Sequence, residues 1–283
     1  PYKRRITGIW LEIKADPKNR AQLVNDLAAL YSADLITRVN MSPRNPWRPD
    51  DKIEYDVFGL RGLDLSSTGK LATAGYFSGN VLMVDPGNLK TTAQVALGAK
   101  VAETITRKGE RIFHDATFCF QHWLSCATCH PDTRADAMNW DLLNDGIGNP
   151  KNTKSMVWAD KTPPSMSLGV RATMEVAAAA GFKHILFRQV DQADLDATIA
   201  YLRDLKPLPS PYLENGKLSA KAEEGKKLFE DKEVACASCH PAPLFTTLKL
   251  YDVGTTGQLD RGAKEFDTPT LIELWKTGPF LHD

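Results

Sequence analysis

The sequence predicts a multidomain chain, with an N-terminal mainly β segment over residues 1–100, carrying one helix, and a mainly α region over 101–283. Three observations predict it. Between Val57 and Gly98, short β-like runs alternate with turn residues; after Lys100, apolar residues recur at helical spacing. One local pattern also occurs twice, beginning at Gly109 and at Gly225. The 283 residues carry 35 basic and 35 acidic side chains, with 42% hydrophobic and 25% charged residues. That is an ordinary globular composition and excludes a disordered or collagen-like chain. Residues 1–100 hold 14 basic and 10 acidic residues and the remainder 21 and 25, so neither part has the basic excess that nucleic acid or anionic lipid calls for. The longest small-apolar stretch, Val176 to Phe182, is far too short to span a bilayer.

Taken in order, Asp16-Pro17 followed by Leu23, Leu27 and Leu30 predicts a helix near 17–31, and Asn40 to Asp51, with three prolines, predicts a loop. Four strands are expected at Leu60–Leu65, Lys70–Phe77, Val81–Val84 and Thr91–Leu97. Four strands in about 42 residues is the size of one propeller blade. The stretch from Gly75 to Asp85 resembles the repeats of the YVTN family of bacterial β-propellers. One blade cannot close a ring, so that resemblance implies further blades, from elsewhere in the protein or from a partner subunit. The alternative is a small sheet without a ring. Further on, Asp191–Leu205 places Leu195, Ile199 and Leu202 on one face and runs into Lys206-Pro207-Leu208-Pro209, a closing helix followed by a proline-rich linker.

Four of the five cysteines sit in Cys126-Ala127-Thr128-Cys129-His130 and Cys236-Ala237-Ser238-Cys239-His240. Cys-x-x-Cys-His reads as a c-type haem attachment site: two thiols one turn apart add to the two vinyl groups, and the adjacent histidine becomes the proximal iron ligand. With this composition, chance gives roughly 0.002 such matches, and the chain has two. A zinc site would place its cysteine pairs about 15–20 residues apart, and these pairs are 110 apart. A redox Cys-x-x-Cys would need no histidine, and disulfides within such short pairs would be strained. Cys119, between two phenylalanines, reads as a buried small apolar residue. Each haem motif follows a Gly-x-x-[Ile/Leu]-Phe-x-Asp segment (Gly109–Asp115, Gly225–Asp231), with 13 residues from Phe113 to Cys126 and 7 from Phe229 to Cys236. Two cytochrome-c-like units in tandem follow, over 101–209 and 210–283, the first with a six-residue insertion.

Over 101–283 these features, with Asn149-Pro150-Lys151-Asn152-Thr153 and Thr277-Gly278-Pro279-Phe280-Leu281-His282-Asp283, resemble the di-haem cytochrome c peroxidase/MauG superfamily. The resemblance implies two covalently bound haem c groups, one reactive with hydrogen peroxide and one accepting electrons, and one calcium ion between them. It assigns calcium to the Asn152 side chain and the Thr277 and Pro279 carbonyls, neutral oxygens that suit the ion. Read by themselves, Asn152 is a turn residue and Pro279 a loop residue. It also implies that His282 bonds a haem propionate or shapes the interface. The sequence departs from the family in two ways. The segment Ser167–Ala172 lacks the family's inter-haem tryptophan, leaving Trp140 and Trp158 as candidate relays or as ordinary core residues. The chain ends at Asp283, where the family continues, so the sequence is expected to be incomplete at both ends.

Proximal ligation falls to His130 and His240. On the opposite side of the first iron, the interval 131–149 contains no histidine, and Met138 is its sole conventional ligand. The first haem is therefore Met-ligated or open. An open site needs a distal acid/base, for which Glu175 is the candidate, against the plain reading of a solvated helix residue. His184 reads as a distal ligand, a propionate partner or a core histidine. The expected function is a peroxidase- or MauG-like oxidoreductase, fed by a small redox protein or other donor and consuming hydrogen peroxide or oxidising a larger substrate. A non-catalytic electron-transfer cytochrome and a redox-sensing propeller protein are the alternatives. Covalent haem attachment implies export, so a bacterial periplasmic or extracellular location is expected. The chain begins at Pro1 with no signal peptide, as a processed or truncated chain would.

Overall fold

The computed structural model describes residues 59–88, 90–99, 101–141 and 150–282. The expected helix at 17–31 and loop at 40–51 lie outside them. The chain divides into two compact units, Pro1–Gly98 and Ala99–Asp283.

In the first unit, β1 (Leu60–Leu65), β2 (Leu71–Gly75), β3 (Asn80–Asp85) and β4 (Lys90–Ala96) form an antiparallel meander in sequence order. The four expected strands are all present, displaced by no more than two residues. Local chemistry sets the turns: the Gly69 N–H donates to the Ser66 carbonyl at 2.9 Å, and the Gly87 N–H to Asp85 Oδ1 at 2.7 Å. A bulge between Arg61 and Leu63 sits at Gly62, whose φ of 70° costs a glycine nothing. Burial has the period of a strand: β3 buries Asn80, Leu82 and Val84 and half-exposes the residues between. The edge strand β1 is exposed along its whole length.

The second unit is built around two helices. α1 (Ile105–Phe113), capped by Thr104, packs along α4 (Gln192–Asp204), the helix expected from the Leu195, Ile199 and Leu202 stripe. Gly109 is the contact: a Cβ there would lie 1.9 Å from the Ala197 carbonyl oxygen. Phe113 and Tyr201 meet edge to face at 5.6 Å. Ile112, Cys119, Leu124, Phe182, Leu186 and Ala197 form one core cluster. Cys119 is 1% exposed, the buried small apolar residue its flanking phenylalanines predict. The six-residue insertion becomes two short 3-10 turns, Ala116–Phe118 and Phe120–His122, tied down where the Phe120 N–H donates to the Leu186 carbonyl. Leu186 follows α3 (Met174–His184).

The repeat is visible in the backbone. α2 (Cys126–Cys129) and α6 (Cys236–Cys239) are single turns ending in histidines of nearly equal conformation, φ −115°, ψ 64° at His130 and φ −120°, ψ 58° at His240. α5 (Ala220–Glu230) carries the second Gly-x-x-Leu-Phe segment as expected. It differs from α1 in packing: no residue of α5 is buried, and a Cβ on Gly225 would meet nothing within 4 Å. Two short ladders, β5 (Asn139–Trp140) with β6 (Lys151–Asn152) and β7 (Leu250–Tyr251) with β8 (Phe266–Asp267), and two isolated bridges, Ser165 with Arg171 and Glu214 with Lys217, are the other pairings among the described residues.

Candidate functional site

The first Cys-x-x-Cys turn is capped at both ends by its own sequence, and the second, whose N-cap is Ala235, at its C-terminal end. At α2, the Ser125 N–H donates to Thr128 Oγ1 at 3.0 Å; at the far end the His130 N–H returns to the Cys126 carbonyl at 3.0 Å. The equivalent His240 bond to the Cys236 carbonyl is 3.1 Å. One helical turn thus presents two thiols and then an imidazole. No two of the five cysteines are joined by a disulfide. Burial pushes the Cys126 thiol up to about 12 and Cys129 up to about 11. Among the described residues, no group of three or more His, Cys, Asp or Glu side chains is arranged to hold a metal ion.

The histidines carry the decisive geometry. His130 Nδ1 lies 2.9 Å from the Lys154 carbonyl and 3.2 Å from the Arg134 carbonyl. A carbonyl only accepts, so Nδ1 bears the proton and Nε2 keeps its lone pair. Burial also pushes the His130 pKa down, favouring the neutral ring. His240 is held in the same way, its Nδ1 donating to the Phe245 carbonyl at 2.9 Å. The Phe245 ring packs edge to face on Phe229 of the preceding motif, so the repeated segment helps to place the acceptor. Both rings keep the Nε2 lone pair for a metal, as metal-bound histidines do. Beside the second motif, Leu228 is 61% exposed and Val234 is also exposed, apolar surface that a porphyrin would cover. The residues fit covalent haem.

Two of the calcium candidates, Asn152 and Pro279, meet, whereas Thr277 bonds to the Leu274 carbonyl. Asn152 Nδ2 donates to the Pro279 carbonyl at 2.5 Å, and the Asn152 N–H to the His282 carbonyl at 2.9 Å. Asn152 Oδ1 is buried with no hydrogen-bond partner. Next to it lies a cluster that sequence reasoning did not find. Asp260 receives the Gly257 N–H at 2.7 Å, His282 Nε2 at 3.1 Å and Lys151 Nζ at 2.8 Å. The His282 ring stacks on Phe266 at 3.7 Å.

The other candidates are dispersed. Glu175 stands in the first turn of α3, 2.8 Å from the Arg203 guanidinium. Hydrogen bonding from Thr173, its own backbone N–H and Arg203 hold its carboxyl below the ordinary value. Met138 is 53% exposed, just before β5. Trp140 donates its indole N–H to Asp136 at 2.8 Å, and Trp158 lies under the Lys161 ammonium at 4.4 Å. His184 ends α3 exposed to solvent, which corrects its reading as a core histidine: the apolar run around it turns Phe182 and Leu186 inward and leaves His184 outside.

Two long-range ion pairs within the chain were also missed. Arg134 grips Glu273 in a two-pronged contact at 2.7 and 2.9 Å, and Lys154 pairs with Asp267 at 2.9 Å. Nothing local marks them, since the partners lie more than a hundred residues apart.

A helical unit carrying two Cys-x-x-Cys turns, each with its histidine held through Nδ1, is an arrangement that c-type haem would fit. No protein-family model matches the chain. It is 29% identical over 232 residues to hydrazine synthase subunit gamma of Kuenenia stuttgartiensis, covering 63% of this chain and 66% of that protein. It is 24% identical over 223 residues to methylamine utilization protein MauG of Methylophilus methylotrophus, covering 62% of this chain and 67% of that protein. A solved structure of the Kuenenia stuttgartiensis hydrazine synthase, pressurized with xenon, matches with a TM-score of 0.58 at 26% identity, over 65% of this chain and 76% of that one. The chain thus spans about two thirds of the length of these curated relatives. The chain is thus similar both to a hydrazine synthase subunit and to a MauG protein.

Proposed function

We propose that this chain is a di-haem c-type cytochrome with MauG-like oxidoreductase activity. Haem would be held at Cys126, Cys129 and His130 and again at Cys236, Cys239 and His240. The site at His240 takes electrons from a small redox protein or another donor, and the site at His130 reduces hydrogen peroxide or oxidises a larger substrate. The observation that carries this reading is the pair of histidines whose Nδ1–H groups are given to backbone carbonyls, leaving both Nε2 atoms for iron. Bound haem supplies the one-electron chemistry; the protein supplies orientation and electrostatics.

Each residue has its part in that reading. His130 and His240 would hold the iron through their Nε2 atoms. Glu175, paired with Arg203, is the proposed proton acceptor. Trp140 and Trp158 are the candidate relays, and His184 and His282 belong to the haem surroundings. Calcium is proposed at Asn152, Thr277 and Pro279, supported by the partnerless Asn152 Oδ1 beside the Pro279 carbonyl. Neutral oxygens completed by water are suitable calcium ligands. The exposed β1 edge supports the reading of residues 59–98 as one propeller blade, with other blades from the protein or a partner subunit. No described helix is long and apolar enough to cross a membrane. Covalent haem attachment supports export to the periplasm or beyond.

The similarity to a subunit of hydrazine synthase favours a second reading, in which the chain carries electrons within a larger assembly and both irons are six-coordinate. EPR of the oxidised protein with and without cyanide separates the two. The peroxidase reading expects a high-spin ferric signal from one haem that cyanide converts, and little spectral change in Met138→Ala. Two low-spin haems in every redox state, inert to peroxide, would leave the electron carrier standing.

A further inference from the structure

We propose that the ion pairs Arg134–Glu273 and Lys154–Asp267 are positioning devices for His130, fixing the two carbonyls that receive its Nδ1–H and thereby setting the potential of the first haem. The proposal rests on the reading of His130 as an iron ligand.

The geometry is specific. The two carbonyls that hold His130 belong to Arg134 and Lys154. The side chains of these same two residues both reach the 267–273 segment, beyond the second haem motif, and end on carboxylates. Glu273 is 1% exposed at its side chain and Arg134 12%. Glu273 also receives the Leu208 N–H, and Arg134 donates to the Lys206 carbonyl at 3.3 Å, so the linker is gathered into the same knot. Glu273 sits at φ 56°, a left-handed conformation that a non-glycine residue keeps only when its surroundings impose it. Burying an ion pair gives little net stability, because desolvation offsets the attraction. What it does provide is register, and here the register fixed is that of the two carbonyls on the proximal histidine. His240 has no such arrangement. Its acceptor is the Phe245 carbonyl, five residues away, braced by an aromatic contact.

A stronger hydrogen bond from Nδ1–H makes the imidazole a better donor to iron and favours the ferric state. Freeing the Arg134 and Lys154 carbonyls should therefore raise the potential of the first haem alone. Glu273→Gln and Asp267→Asn remove charge while keeping shape. They are made in the full haem-loaded chain, with haems counted by mass, and each haem is titrated by spectroelectrochemistry. At the parent's first midpoint, each variant is expected to show about a tenfold higher ferrous-to-ferric ratio, equal to about 59 mV for one electron. The second midpoint should stay where it was, and the ferrous iron–histidine Raman stretch of the first haem should fall. A first midpoint unmoved in both variants, or both haems moving together, overturns the proposal. If Glu273→Gln fails to fold, Arg134→Lys decides, since it keeps the charge and loses the two-pronged contact. A raised first midpoint supports the device and an unmoved one overturns it. A parent chain that attaches no haem at Cys126 and Cys129 would instead overturn the underlying reading of His130.

Discussion

Asp260 is fully buried, yet its carboxyl titrates well below the ordinary range. Burial alone would raise it; the Gly257 N–H, Lys151 and His282 together hold it at about 2. A carboxylate lowered in the folded state contributes stability above its ordinary value of 3.8, lost as pH falls through the folded value. Acid should therefore weaken the 260–282 region between about pH 4 and pH 2, by on the order of 2 kcal/mol. In Asp260→Asn that part of the pH dependence should vanish from denaturant unfolding curves, and the uncompensated Lys151 should cost about 3–5 kcal/mol at neutral pH. Glu175 is tested by rate. If it takes the proton during the peroxide step, Glu175→Gln should slow that step at least about a hundredfold while leaving both haem spectra in place. An unchanged rate in stopped-flow mixing would remove Glu175 from the chemistry. The attachment residues were legible because thioether bonding demands a fixed local spacing, Cys126-x-x-Cys129-His130. Asp260, Glu273 and Asp267 were not, because an acidic residue carries no mark of a partner more than a hundred positions away. Lys151 and Lys154 gave the nearest signal, flanking Asn152 in a segment already singled out.

The two Gly-x-x-[Ile/Leu]-Phe helices share a sequence pattern and differ in surroundings. α1 crosses α4 at Gly109, and a Cβ there would strike the Ala197 carbonyl and Tyr201. Backbone cannot yield as a flexible side chain can, so Gly109→Ala should destabilise by about 1–3 kcal/mol or more. α5 has open space at Gly225, so Gly225→Ala should stabilise by about 0.5–1 kcal/mol through helix propensity alone. Thermal unfolding of the two variants, followed at 222 nm, should move in opposite directions; equal effects would show that the crossings are alike. The periodic stripes and the turn residues made α1, α4, α5 and the four strands readable. α3 was not expected as an element, since its alanine-rich sequence has little amphipathic contrast. Of the three readings the sequence leaves for His184, at its end, the exposed position removes the core histidine.

At the scale of the molecule, a sheet unit and a helical unit follow one another, and the helical unit is a tandem repeat whose two turns hold their histidines alike. The order of textures was readable because strand and helix periods differ along the chain. The long-range ion pairs and the cluster around Asp260 arise only when the repeats are packed. The central claim is that both Cys-x-x-Cys-His turns carry covalent haem. Denaturing mass spectrometry of the protein matured with haem tests it most directly. Two thioether-bound haems should add about 1.2 kDa to the polypeptide. Cys126→Ala and Cys236→Ala should each weaken or remove one attachment. A mass equal to the bare chain, from cells that mature other c-type cytochromes, would contradict the account at its root.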